Sequence, residues 1–338
     1  MKKLTFYIFV CLLISACVNN QNTKTEKSGN YIGKTPSDTL AKIFAPNFIS
    51  THLHERDFAV TPDGKEYYYT VWGRDYYAIA VTKQVNGEWT EPAIAPFSGN
   101  KKNRDLEPFI SKDGAHFYFM STRPPKGKEE KNGWFYQNIW VMDRIENGWS
   151  EPYELGEPIN SDAGEYFPSL TNDGTIYFTR EDGEGQQSIY RSKKIDGKYQ
   201  EAERLPKEVN ASKMQYNSMI APDESYIIVC TKLEGNTIGR TDYCISFNLG
   251  ENEWTPLINM GSKVNFPNCH ALSPSLSADG KYFIFSSNKQ SDTEANRTKL
   301  DLNLLKEQAL SPQNGNLDLY WIKSDFIEDI RKDYFANH

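Results

Sequence analysis

Five short segments of this 338-residue chain gather side chains that hold protons, anions or metals: His52-Leu53-His54-Glu55-Arg56-Asp57, Asn103-Arg104-Asp105-Leu106-Glu107, Gly164-Glu165-Tyr166, Gln215-Tyr216-Asn217 and Asn268-Cys269-His270. A second set follows at a distance: Trp72-Gly73-Arg74, Arg123, Arg180-Glu181, Lys232 and Asn288. Three chemistries are open to this collection. Arg123 and Arg180 can clamp carboxylate or similar groups, while Tyr166 and Tyr216 offer flat faces to sugar or peptide planes. Asp57, Asp105, Glu107 and Glu165 are candidates for glycosidic hydrolysis, with one carboxyl as acid and a second as base or nucleophile. His52, His54, Glu55, Cys269 and His270 include the donors of a divalent-metal site, since two His separated by one residue can share an ion in extended backbone.

Each reading has a plainer competitor. The arginines and acids are equally suited to pair with one another and seal a channel. The chain has no Gly-x-Ser-x-Gly nucleophile motif, and His-x-His is common without metal. The expectation is therefore a polar-ligand or partner site formed by His54, Glu55, Asp57, Asp105, Glu107, Arg123, Glu165, Tyr166, Arg180, Tyr216, Lys232 and His270, with no catalytic residue, resident metal or cofactor assigned. A carbohydrate-active enzyme using paired carboxylates is the alternative.

For these segments to meet, the elements between them must return repeatedly to one place. Five Asp-centred turns recur at intervals of roughly 50 to 60 residues, the length of a propeller blade. They are Pro62-Asp63-Gly64, Lys112-Asp113-Gly114, Asn172-Asp173-Gly174, Pro222-Asp223-Glu224 and Ala278-Asp279-Gly280. An Asp side chain accepts hydrogen bonds from its own turn, which accounts for its recurrence without any ligand. Aromatic strands follow each turn, such as Tyr67-Tyr68-Tyr69 and Phe283-Ile284-Phe285, and third strands begin near 77, 138, 188, 242 and 318. Outer strands start at aromatics including Trp89, Trp149, Tyr199 and Trp254. The fifth unit has no fourth strand of its own, so residues 43–50 are expected to supply it and close the ring. The sequence thus predicts an all-β, five-bladed β-propeller of four-stranded blades closed by the N-terminal strand, with six blades as the alternative. Short helices are expected within 298–310 and 326–335. Cys230 and Cys244 fall on neighbouring strands of one blade, as a disulfide or as two thiols.

The Asp turns and their flanking strands resemble the Pro-Asp repeats of TolB-like β-propellers. The resemblance is nearest to a bacterial group of secreted and lipoprotein propellers. It rests on Ile43-Phe44-Ala45-Pro46, His54-Glu55, the first Pro-Asp-Gly turn and the terminal Leu319-Tyr320-Trp321. It implies a binding or scaffold protein and, by analogy with TolB, a protein partner in the cell envelope.

The N-terminus fits that compartment. Lys2 and Lys3 precede an apolar run from Leu4 to Ala16, the pattern of a secretory signal peptide. Ile14-Ser15-Ala16-Cys17 resembles a lipobox, which makes Cys17 the lipidated first residue of the mature chain. The expected organisation is a signal peptide at 1–16, lipidated Cys and flexible tether at 17–42, propeller at 43–325 and a C-terminal tail at 326–338. Acyl chains would hold the protein on the membrane, on the periplasmic face of the outer membrane. The net charge of −7, which becomes more negative when Lys2 and Lys3 are removed, argues against nucleic acid as a partner. A cell-envelope protein, peptide or glycan is expected instead, met by a monomer.

Overall fold

In the computed structural model the described residues are 31–32, 39–291 and 298–338. The signal peptide expected at 1–16, Cys17 and most of the tether expected at 17–42 lie outside the described residues. Five small antiparallel sheets stand around one axis as a five-bladed propeller. Blade one is built from His54–Val60, Glu66–Trp72 and Tyr77–Val85, with outer pieces Glu88–Trp89 and Ala93–Ile94. Blades two, three and four repeat that order from Asp105, Glu165 and Gln215. Blade five holds Leu272–Leu276, Tyr282–Ser287 and Asp318–Lys323. Its fourth strand comes from the other end of the chain: Lys42 pairs with Trp321 and Ile43 with Tyr320.

This closure differs from the expected strand over 43–50. Only Lys42–Ile43 run as a strand, because Pro46 lacks an N–H and Ala45 and Asn47 adopt left-handed backbone at φ 44° and 61°. The chain then curls, and Ser50 Oγ accepts from Leu319 N (3.1 Å) and donates to Leu319 O (3.2 Å). A side chain thereby takes the place of the next strand. The same device recurs around the ring. Asn160 holds both backbone groups of Ile139, Asn210 those of Ile189 and Asn265 those of Tyr243, all at 2.8–3.1 Å. In blade one Ser98 Oγ accepts from Ile79 N at 3.0 Å. A bare strand edge inside a blade would leave donors and acceptors unsatisfied, and these clamps prevent that.

The turns behave as local chemistry dictates. One oxygen of each Asp accepts from the backbone N–H two residues on, at Lys65, Ala115, Thr175, Ser225 and Lys281. A hydroxyl two residues before the Asp (Thr61, Ser111, Thr171, Ser277) adds a second bond in four turns. Where the fourth turn lacks Gly, Glu224 takes the left-handed position itself at φ 60°. Its carboxylate accepts from the buried Tyr177 hydroxyl, which offsets the strain of that backbone.

Packing is between blades, through facing aromatic and aliphatic layers. Phe44, Phe58, Tyr67 and Trp321 form one such layer across the closure. Among the described residues two helices decorate the ring. Leu302–Ala309 is capped by Asp301 and buries none of its residues, whereas Asp325–Asn337 buries Phe326 and Ile327 against blades four and five. Cys230 and Cys244 are buried free thiols. Cys230 pairs in register with Tyr243 and Cys244 with Val229, so their side chains leave opposite faces of the sheet.

Candidate functional site: the propeller axis and its mouth

Every innermost strand contains the same irregularity. Pairing with the second strand slips after Arg56, Leu106, Tyr166, Tyr216 and Leu272. The residue that follows each of them is left-handed: Asp57 (φ 61°), Glu107 (59°), Phe167 (53°), Asn217 (47°) and Ser273 (57°). A non-glycine residue held there costs on the order of 1–3 kcal/mol, and five of them at one level form a strained ring. The slip is a β-bulge, which re-aims side chains. Here it turns the five toward the axis, where they meet.

What meets is a buried polar knot. Arg56 Nε donates to Asp57 Oδ1 (2.7 Å), and its Nη2 donates to Glu107 Oε1 (3.0 Å) and Asn217 Oδ1 (3.2 Å). Asn217 Nδ2 donates to Glu107 Oε1 (3.2 Å), and Phe167 N donates to Glu107 Oε2 (2.9 Å). Ser273 Oγ donates to Asp57 Oδ1. Four blades thus supply side chains to one cluster, and blade three contributes a backbone N–H. Burial drives the Glu107 carboxyl above its ordinary range, with Arg56 pulling down and Asp57 adding upward pressure. Arg56 is held firmly protonated by the two acids against its own desolvation.

The knot divides the axis. Above it, at the end where innermost strands begin, a cavity of about 330 Å³ is lined by Arg56, Glu107, Tyr166, Tyr216, Met214 and His270 among others. Its size reaches the range of small-ligand sites. Tyr216 is held upright by Thr241 Oγ1 (2.8 Å) and Ala271 O (3.2 Å), and burial keeps the His270 imidazole below its ordinary pKa. Below the knot a second cavity of about 130 Å³ runs toward the Asp-turn face between mainly apolar walls that also include Glu107, Lys112 and five serines.

The remaining sequence-predicted residues are elsewhere or already engaged. Asp105 accepts from Arg123 (2.5 Å) and Ser121 (2.7 Å), and Arg123 also donates to Phe97 O. Glu165 accepts from Arg180 Nε (2.8 Å), and Arg180 Nη2 donates to Ile159 O (2.8 Å). These arginines tie strand ends to the clamp segments beside them. Glu55 accepts from Thr51 N (3.1 Å) and Thr51 Oγ1 (2.5 Å), just as Glu165 accepts from Ser161. Burial pushes Glu55 up to about 7 and Asp318, whose charge opposes it, up to about 8. His54 Nδ1 accepts from Leu317 N (3.1 Å) and its ring meets Trp72 edge to face. Lys232 lies in a separate groove with Lys207 and Lys213, beyond the mouth. Among the described residues no group of three His, Cys, Asp or Glu is placed to hold a metal.

Two features had weak sequence signals. Arg56 was one charge within a charged segment, and nothing local marked it as the centre of the knot. On the rim, Trp134 and Phe135, from the loop between strands His116–Ser121 and Asn138–Ile145 of blade two, are exposed, Trp134 stacks under Arg104 at 4.3 Å, and Tyr77 joins both. This leaves an aromatic ridge beside the mouth.

No family model matches the chain, and no curated protein matches it. Solved structures with a similar path include TolB from Acinetobacter baumannii, at 17% identity and TM-score 0.45, over 80% of this chain and 55% of that one. A putative TolB from Agrobacterium tumefaciens has 14% identity and TM-score 0.43, over 80% and 90% of the two chains. A GH43 protein mutant from Bacillus licheniformis has 12% identity and TM-score 0.43, over 75% and 51%. The chain spans just over half the length of the first and last of these. Such distant likenesses bring neither activity nor partner with them, and the five-bladed architecture rests on the strand pairing described above.

Proposed function

We propose that this protein is a lipid-anchored binding module of the cell envelope that receives a polar ligand or a segment of a protein partner at the propeller mouth. The observation that supports it best is the cavity of about 330 Å³ above the knot. Tyr166, Tyr216 and His270 present flat or polar edges there over the buried knot centred on Arg56. Planar rings with few rotatable bonds give large contact area at small entropic cost, a property shared by many recognition surfaces. The aromatic ridge of Tyr77, Arg104 and Trp134 extends the surface outward. The anchor and the periplasmic location rest on the Lys2-Lys3 to Cys17 pattern alone.

Hydrolysis is the less favoured reading. Both oxygens of Glu107 are occupied, Asp57 is buried in the knot, and Asp105 and Glu165 are tied to arginines. None of the four is poised beside a water-accessible partner carboxyl.

The test is in-cell crosslinking of the lipidated protein with a photo-reactive residue at position 214, followed by identification of the adduct. A discrete envelope partner, lost in Tyr166→Ala and Tyr216→Ala variants that melt as the parent does, is the expected result. Adducts that persist in both variants would move the site off the mouth.

A further inference from the structure

The tether expected over residues 17–42 is held by the fold at Tyr31 and Ile32, ten residues ahead of the first strand. Ile32 is fully buried in the layer that closes the ring, with Phe44, Tyr67 and Trp321. Tyr31 packs edge to face on Tyr282 at 5.0 Å and tilts over Trp321 at 5.8 Å. Its hydroxyl donates to Asp279 Oδ1 at 2.8 Å, the oxygen that also accepts from Lys281 N and Ser277 Oγ within the fifth turn. A cavity of about 190 Å³ is lined by Tyr31 together with Pro62, Asp63 and Gly64 of the first turn and Ala278 and Asp279 of the fifth. The seat therefore lies at the Asp-turn end of blades five and one, opposite the mouth.

The strand path gives the same exit. Asp318–Lys323 runs from the mouth, where Leu317 N donates to His54 Nδ1, to the turn end, where Lys323 pairs with Tyr282. Lys42–Ile43 is antiparallel to it, so the chain arrives at Lys42 from the turn end. The length that precedes Tyr31 then limits where an anchor sits. The 14 residues from Cys17 to Asn30 span at most about 50 Å when fully extended and about 20 Å as a coil. The innermost strand of blade three, Glu165–Leu170, by itself sets the two faces about 20 Å apart. A lipid on Cys17 thus meets a bilayer under the turn face with the tether relaxed. Bringing the mouth down to that bilayer would stretch the tether along the blades and past the mouth loops, beyond its coil length, at a cost in chain entropy.

We propose that the Asp-turn face is the surface the anchored protein turns toward the lipid, held so by Tyr31 and Ile32, and that the mouth opens away from the membrane. This rests on the lipid-anchored reading given above and adds to it an orientation. Tyr31 and Ile32 are positioning residues: they take the ten residues up to Lys42 out of the working length of the tether. A partner then reaches the mouth from the aqueous side without crossing the lipid surface.

The experiment is energy transfer on the full lipidated chain in vesicles of phosphatidylethanolamine with phosphatidylglycerol as the minor lipid, carrying a rhodamine-labelled lipid as acceptor. The donor dye is placed on Asn172→Cys or on Asp162→Cys, exposed positions at the turn end and the mouth end of the same blade. Cys230, Cys244 and Cys269 are buried and do not compete for it. Transfer at least twofold more efficient from position 172 than from position 162 is the expected result, with the ratio falling toward one when Tyr31→Ala and Ile32→Ala are combined. Equal transfer from the two positions in the parent, or stronger transfer from 162, would overturn the orientation. A ratio that persists in the double variant would overturn the role of Tyr31 and Ile32. Flotation with the vesicles, against Cys17→Ser, is read first. A chain that does not float overturns the anchor reading and the membrane-facing assignment together. Its unacylated Cys17 thiol then takes the acceptor dye, and transfer to positions 172 and 162 decides separately whether the tether leaves at the turn face.

Discussion

The two ends of the propeller axis share one backbone and differ in nearly everything else. At the mouth Tyr166 and Tyr216, which stand just before two of the bulges, are half-buried and turn rings and hydroxyls to the cavity, while the Arg56 guanidinium is buried in the knot beneath them. Below the knot the lining is mainly apolar, from Phe58, Ile110, Leu170 and Leu276 with Pro108, Pro168 and Pro274, and the serines among it spend their hydroxyls on bonds within the fold. A five-fold repeated geometry therefore carries no chemistry of its own. It supplies equivalent positions, and the side chain occupying each decides whether that level of the axis is wet and adaptable or dry and selective. The same lesson holds at the blade corners. Glu165 faces Arg180 across the strand pair, while the equivalent Glu55 faces Val71 and lacks a cation.

The sharpest way to break this contrast is to remove its divider. Arg56→Met should strand two buried carboxylates and cost about 3–5 kcal/mol in urea unfolding. A loss below about 1 kcal/mol would mean that the knot does not hold the blades together. Next in size, Asn210→Ala deletes three buried hydrogen bonds and should cost about 2–3 kcal/mol. That variant should leave the crosslink at position 214 equal to the parent's, since the clamp stands at the blade's outer side. A lost crosslink would show that the clamp of blade three is coupled to the mouth.

A third effect separates the carboxylates by their surroundings. Glu55 and Asp318 titrate near 7 and 8 in the fold, well above their ordinary values. Protonation is therefore favoured by folding, and the stability they contribute is complete below about pH 4 and fades as pH rises through 7 and 8. The melting temperature should fall between pH 5 and pH 9, and Asp318→Asn should flatten the upper part of that fall while keeping the bond from Gln313 N. An unchanged slope in the variant would assign the pH dependence to the axial knot. The smallest effect on stability belongs to the mouth: Tyr166→Ala should change unfolding free energy by about 1 kcal/mol or less yet abolish the crosslink at position 214.

Much of the scaffold could be read locally. Each Asp turn closes on its own backbone within two residues, so Asp63, Asp113, Asp173, Asp223 and Asp279 announce themselves without knowledge of the rest of the chain. The clamps Asn160, Asn210 and Asn265 share a sequence context, each preceded by Ile or Val, and Ser50 follows Ile49 in the same way. Their partners lie about 20 residues upstream or, for Ser50, near the far end of the chain, and only strand pairing shows what they hold. Arg123 and Arg180 suited a ligand clamp and an ion pair alike in the sequence. The fold put each beside an acid of its own blade's innermost strand.

Turn chemistry and the blade-length repeat pointed to five blades, with six still open, and to the need for a closing segment, because both follow from short-range hydrogen bonding and periodicity. The meeting of Arg56, Asp57, Glu107, Asn217 and Ser273 was decided by the tertiary structure. A bulge shifts pairing by one residue and so changes which side chain faces the axis, and that shift leaves no mark in an alternating strand pattern. Closing the ring then brings five such positions, separated by most of the chain, within hydrogen-bond reach.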